Sequence, residues 1–299
     1  MKKLLFVMNP FAGTRRANRV LAEVLSVFNR AGYEVLTYMT AGQGDATREV
    51  QARAAEVDLV VCAGGDGTFN ETITGVLRSG RDLPVGYLPA GSTNDFAASL
   101  HLPTDLLQAA RDIVEGEPCC YDVGKFGNRY FSYVASFGAF TRTSYSTPQN
   151  IKNALGHTAY LLDGISELSQ IKPLHVRFEL ENEVIDGDFI FGAISNSTSV
   201  GGILTLDPRQ VDMSDGKFEL LLVRAPRDLV ELSECIRALR TQKYNCSMLT
   251  FRPASRVTVY ADPAMAWTLD GEREEGHDCV EVENLHHAIR LLQRKEPSC

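Results

Sequence analysis

The sequence predicts an α/β protein of two domains: an N-terminal Rossmann-like parallel sheet with helices on both faces, then a C-terminal, mostly antiparallel β-sandwich. Three observations carry that expectation. Strand and helix signals alternate through the first third of the chain, as they do in successive βαβ units. Glycine-rich turns fall where strand signals end and helix signals begin. After Pro118 the pattern changes to short strand candidates in close succession. At 299 residues the chain can bury two cores, with predicted boundaries 1–120 (completed by 284–299) and 121–283.

Each element follows from local patterning. Lys3–Met8 (KLLFVM) is a buried-type strand, ended by the loop Asn9-Pro10-Phe11-Ala12-Gly13. Between Arg16 and Ala31, Val20, Leu21, Val24, Leu25 and Phe28 recur at helical spacing. Glu34–Met39 predicts a second strand, and Asp45–Ala55 a second helix capped by Asp45. Asp58–Ala63 predicts a third strand running into Gly64-Gly65-Asp66-Gly67, with a helix over Thr68–Leu77 and a fourth strand at Leu83–Leu88.

In the second domain, strands are predicted at Cys120–Phe126, Arg129–Phe137, His175–Leu180, Glu183–Ser195, Lys217–Val223, Arg256–Tyr260 and Ala266–Leu269. Two helices interrupt them, Ile151–Ile171 and Arg227–Gln242. A closing helix, Leu285–Arg294, is expected to return to the first domain.

Composition excludes some classes. Hydrophobic and charged fractions of 44% and 23% are those of a soluble globular chain, and no apolar run approaches the ~20 residues that span a bilayer. The basic, apolar N-terminus is too short for a signal peptide and breaks at Asn9-Pro10, so a first strand fits better. Seven scattered cysteines without C-x-x-C spacing read as reduced thiols of a cytoplasmic protein. A net charge of −8 argues against nucleic acid as a partner.

Three loops should meet at one edge of the parallel sheet: Asn9–Gly13, Gly64–Thr68 and Ala90–Asp95. Two of them place glycines before Ser or Thr and then a helix, which suits a polyphosphate held on backbone N–H groups and hydroxyls. Neither G-x-x-x-x-G-K-[ST] nor G-x-G-x-x-G is present.

Together with Asn70-Glu71, Gly64-Gly65-Asp66-Gly67-Thr68 resembles the diacylglycerol kinase catalytic-domain family, which includes soluble bacterial lipid kinases and sphingosine kinases. So do Asn9-Pro10 with Gly13, the run Gly91–Ala97, Ser199–Gly202, Asp215–Glu219 and Asp270-Gly271-Glu272, in family order. NAD kinases share the glycine core and the broad fold, and remain the rival enzyme reading. A catalytically inactive nucleotide- or lipid-binding protein is the other alternative.

The resemblance implies an ATP- and Mg²⁺-dependent lipid kinase acting on a diacylglycerol-like alcohol. It implies that Asn9, Pro10, Phe11, Ala12, Gly13, Thr40, Gly64, Gly65, Asp66, Gly67, Thr68, Phe69, Asn70 and Thr93 contact ATP. By the same resemblance Asp66 binds the catalytic Mg²⁺, directly or through water, and Asp95 and Asp122 complete an acidic network. Glu272 is implied as the base for the lipid hydroxyl, in a cleft between the domains, with Asp270 as its rival. A second, structural Mg²⁺ is implied at the Asp215 side chain, with carbonyls near Asp212 and Lys217. Such an enzyme is expected to be cytoplasmic and to touch a membrane surface during turnover; a homodimer stays open.

Plainer readings stand beside these. Asp66 fits a turn, Asp95 could cap a helix starting at Phe96, and Asp122 could be a buried, hydrogen-bonded carboxylate. Asp215-Gly216 reads alone as a hairpin turn. His286 and His287 read as solvated residues on a polar helix face, without partners at ligand spacing. Ile151–Ile171 reads as core rather than a lipid clamp, and Phe137–Tyr145, with Arg142, as a possible apolar rim for the lipid.

Overall fold

The computed structural model describes residues 1–138, 172–200, 204–244 and 246–294. The expected helix Ile151–Ile171, Gly201-Gly202 and the Phe137–Tyr145 segment beyond Gly138 lie outside the described residues. The chain packs as two compact units, Met1–Val123 with the segment from His286 onward, and Gly124–Leu285.

The first unit runs β1 (Lys2–Met8), α1 (Arg16–Arg30), β2 (Tyr33–Met39), α2 (Asp45–Arg53), β3 (Leu59–Gly64), α3 (Asp66–Ser79), β4 (Pro84–Pro89), α4 (Asp95–Ser99) and α5 (Leu106–Glu115). Its strands are parallel in the order β2-β1-β3-β4. All six residues of β3 are buried, as expected of a central strand covered on both faces. Leu4, Phe6 and Met8 of β1 share a core with Ala17, Val24 and Phe28 of α1 and with Leu106, Ala110 and Ile113 of α5. Gly75 of α3 lies against Val50 of α2, where a Cβ would stand 2.7 Å from the Val50 Cβ.

Two expectations fail in this unit. Asp45 is the first residue of α2 rather than its cap, and its Oδ2 accepts the N–H groups of Ala41 (2.7 Å) and Gly42 (2.9 Å) from the preceding loop. Those N–H groups, Ala41 first, hold its carboxyl below the ordinary aspartate range. The closing helix is a strand, Cys279–Gln293, whose Arg290 and Leu291 pair parallel with Pro84 and Val85 at the open edge of β4. Leu285, Ala288, Ile289 and Leu292 mimic helical spacing. The controlling pattern is the alternation of buried Val280, Val282 and Asn284, resumed at Ile289 and Leu291.

The chain continues through β5 (Glu117–Phe126), β6 (Arg129–Phe131), β7 (Val134–Gly138), β8 (Leu174–Glu179), β9 (Val184–Ser195), β10 (Ser199–Val200), β11 (Leu204–Thr205) and β12 (Phe218–Arg224). It closes with α6 (Leu229–Arg240), β13 (Leu249–Ala254), β14 (Arg256–Ala261), β15 (Trp267–Leu269), β16 (Glu272–Glu274) and β17 (Cys279–Gln293).

The second unit is largely antiparallel. The first half of β9 pairs with β8, and its second half with both β7 and β12. Fully buried Phe131, Phe137, Phe178, Phe189, Phe218 and Trp267 fill the core of this unit. Asp228 caps α6 by accepting the N–H groups of Val230 and Glu231, each at 2.9 Å. The single strand expected at Arg129–Phe137 is broken into β6 and β7 at Ser132-Tyr133, for a reason found at the site.

Candidate active site

At the carboxyl ends of β1, β3 and β4 the loops are tied to one another by backbone bonds. Asn9 N–H donates to the Ala63 carbonyl (3.0 Å) and Ala90 N–H to the Gly64 carbonyl (2.8 Å). Asn9 Nδ2 donates to Thr68 Oγ1 (3.3 Å), while its Oδ1 accepts Phe11 N–H (2.9 Å).

The glycines have a reason within the fold. A Cβ on Gly91 would stand 2.5 Å from the Gly65 Cα, and one on Gly13, at φ +50°, 2.5 Å from the Ala90 carbonyl oxygen. The three loops therefore touch backbone to backbone, independently of any ligand. The turn is also shorter than the sequence suggests: β3 ends at Gly64 and α3 begins at Asp66, leaving Gly65 alone between them. Gly67 and Thr68 belong to the first helical turn, where N–H groups have no intrahelical acceptor.

The acidic residues of this motif hold other helices. Asp66 Oδ2 accepts Asp95 N–H (3.1 Å) and its Oδ1 accepts Phe96 N–H (3.3 Å), so Asp66 satisfies the start of α4 from another helix. Asp95 is the first residue of α4, which follows Asn94, so it is not the cap of a helix starting at Phe96. Glu71 does the same for α2, accepting Gly44 N–H at Oε1 (2.7 Å) and Ala46 N–H at Oε2 (3.2 Å). Both carboxylates sit where a helix N-terminus favours negative charge.

Phe69 turns its side chain away from the loops, fully buried and stacked on Tyr87 (4.4 Å between centroids), with Phe96 on its other contact (4.6 Å). Thr40 is buried beside β1, donating its N–H to Met8. Pro10, Phe11, Asn70 and Thr93 keep part of their surface, Phe11 65% of it.

Asp122, in β5, is fully buried. Its Oδ1 accepts His287 N–H (2.8 Å) and lies 3.0 Å from His286 Nδ1. The two histidines are therefore not partnerless residues on a helix face. Sequence spacing does not bring them together with Asp122 because it predicts a helix where the chain forms a strand.

In the second unit Asp270 and Glu272 part company. Asp270 is buried, and its Oδ2 accepts the Ser132 N–H (2.5 Å) and hydroxyl (2.7 Å) while its Oδ1 accepts the N–H groups of Tyr133 (3.0 Å) and Val134 (3.1 Å). This grip makes the break between β6 and β7. Burial pushes the Asp270 carboxyl up while the three N–H groups pull it down. Asp270 and Gly271 both have positive φ, +49° and +82°, and turn β15 into β16.

Glu272, the first residue of β16, keeps 35% of its side chain exposed and pairs with Arg129 Nη2 at 3.3 Å. Arg129 also bonds Glu274, through Nη1 at 2.5 Å. No local signal singles out Arg129, because its partners lie some 140 residues away.

Around Asp215 the chain makes a side-chain-stabilised turn. Asp215 Oδ1 accepts Lys217 N–H (2.9 Å), Gly216 has φ +78°, and Asp212 Oδ1 accepts the Ser214 N–H (3.0 Å) and hydroxyl (2.7 Å). Glu219 was missed. It is buried, its Oε2 accepts no hydrogen bond from any described residue, and burial with the Asp215 charge pushes its carboxyl up to about 9. An all-oxygen set with one orphaned oxygen is the donor chemistry that Mg²⁺ prefers.

A parallel sheet whose glycine loops expose helix-start N–H groups, joined to a strand-rich unit carrying surface carboxylates, defines the class of a phosphate-handling α/β enzyme. Comparison with known proteins gives the family. Residues 3–126 match the model described as the diacylglycerol kinase catalytic domain. The chain is 34% identical over 302 residues to the diacylglycerol kinase of Bacillus subtilis (strain 168), covering 99% of this chain and 98% of that one. It is 33% identical over 268 residues to that of Staphylococcus haemolyticus, covering 89% and 81%.

The fold matches the crystal structure of a diacylglycerol kinase from Bacillus anthracis str. Sterne with a TM-score of 0.76 at 21% identity, covering 98% and 97% of the two chains. This chain belongs to the diacylglycerol kinase family, a family of lipid kinases.

Proposed function

We propose that the protein transfers the γ-phosphoryl group of ATP to the hydroxyl of a diacylglycerol-like lipid, with Glu272 as the base. The observation that carries the reading is the division of labour in Asp270-Gly271-Glu272. Asp270 is buried against four donors, whereas Glu272 stands at a strand start with exposed surface and an arginine beside it.

In the reaction, Glu272 takes the proton as the lipid oxygen bonds to the γ-phosphorus and the bond to ADP breaks. Backbone N–H groups of Gly67 and Thr68, the Thr68 hydroxyl and the Asn9–Gly13 loop would bind the phosphates. Asn70, Thr40 and Thr93 would complete the nucleotide site.

Asp66, Asp95 and Asp122 would hold the catalytic Mg²⁺, which supplies charge neutralisation at the phosphates. Asp66 would reach the ion directly or through water, because each of its oxygens keeps a lone pair beside the one N–H it accepts. A structural Mg²⁺ would sit on the Asp215 side chain, with carbonyls near Asp212 and Lys217, and its charge would offset the buried Glu219 carboxyl, which already feels the Asp215 charge. Among the described residues no helix is long and apolar enough to cross a membrane, so the lipid would be met at a bilayer surface.

The test is incubation with labelled ATP, Mg²⁺ and diacylglycerol in mixed micelles. Labelled phosphatidic acid is the expected product. Intact nucleotide binding without any labelled lipid, from diacylglycerol or from a total lipid extract, would overturn the reading.

A further inference from the structure

In a regular strand, neighbouring residues point to opposite faces. His286 and His287 break that rule. Their rings are stacked, with centroids 3.7 Å apart, and His287 has φ +52°. A left-handed residue within a strand other than glycine is uncommon, and here it turns both imidazoles to one side. That side carries the buried Asp122 carboxylate, and one ligand atom from each of the three residues lies within 4.8 Å of the others. The residues lie between the stretch of β17 that pairs with β14 and the stretch that pairs with β4.

We propose that Asp122, His286 and His287 form a binding site for a divalent transition-metal ion of the zinc class. Two imidazoles and one carboxylate are ligands that such ions accept and that magnesium, an oxygen-seeking ion, does not favour. Ligand atoms on a tetrahedral ion with bonds of 2.0–2.1 Å stand about 3.3 Å apart. His286 Nδ1 and Asp122 Oδ1, at 3.0 Å, need only a small separation to receive one, and the His287 ring, stacked on His286 with its ligand atom within 4.8 Å, must tilt away to join them. The ion would take the place of the shared proton, compensate a carboxylate held fully out of water, and join β5 to β17. Three protein ligands leave a fourth position for water. The site shares Asp122 with the acidic network proposed for the nucleotide's Mg²⁺, but its two imidazoles set its metal preference apart, and its test needs neither ATP nor lipid.

The experiment is calorimetric titration of the tag-free, chelator-stripped full chain with Zn²⁺, in the presence of excess Mg²⁺. The expected result is one equivalent bound, with affinity weakened at least about tenfold in His286→Gln and in His287→Asn. Asparagine tolerates the left-handed backbone at 287, and thermal melts verify that both variants fold. Cys119→Ser/Cys120→Ser, which removes the thiols of the same strand, is expected to bind as the wild type does. Absence of saturable Zn²⁺ binding would overturn the proposal. So would binding unchanged in both folded histidine variants, or lost with the two thiols.

Discussion

Asp66-Gly67 and Asp270-Gly271 are the same dipeptide at the end of a strand, one in each unit, and they are used differently. Asp66 has a partly exposed carboxylate that receives two N–H groups from the start of α4. Asp270 is buried and receives three N–H groups and a hydroxyl from the segment between β6 and β7. Solvent makes the difference: a carboxylate at a helix start in contact with water can still face a phosphate-bound ion. One whose lone pairs are consumed in the interior can only hold the chain. In the second unit the carboxylate left with exposed surface is the neighbour, Glu272, to which the proposed reaction assigns the proton.

Four substitutions or titrations bear on that contrast. Asp270→Ala breaks it hardest, leaving three backbone N–H groups buried without an acceptor, and should cost about 3 kcal/mol or more in urea denaturation. A loss under ~1 kcal/mol would show that water replaces the carboxylate there.

Glu219 gives a pH signature. Its folded carboxyl lies at about 9 and its ordinary value is 4.5. The proton is thus held more tightly in the folded state. In chelator, stability from this group is full below pH 4.5 and falls as pH rises toward about 9. Glu219→Gln should flatten that slope, and Mg²⁺ should reduce it in the wild type; urea midpoints across the range measure both.

Gly91→Ala places a methyl against the Gly65 backbone and should cost about 1–3 kcal/mol, read from the same denaturation curves. Glu71→Gln loses the charge at the start of α2 and should cost about 1 kcal/mol, with added salt narrowing the gap.

The first unit was legible because its information is local. Strand runs, helical spacing and glycine turns lie close together in sequence, and a parallel βαβ order leaves few topologies. What the glycines do was only half legible. Gly13, Gly65 and Gly91 permit loop-on-loop contact, which depends on residues far apart in the chain.

Long-range facts were beyond reach for the same reason. The Arg129–Glu272 pair, the split of β6 from β7 by Asp270, and Asp122 with its two histidines each join residues more than 130 positions apart. The closing strand was misread because four apolar residues at helical spacing overlaid a two-residue alternation. Pairing with the open edge of β4 settled the competition.

The central claim is that Glu272, and not Asp270, serves the reaction. Its most direct test is the turnover of Glu272→Gln with ATP and diacylglycerol, beside a melt showing the wild-type transition. The account predicts an unchanged melt and a kcat lowered by at least about 10²-fold. A folded Glu272→Gln with wild-type turnover would contradict it.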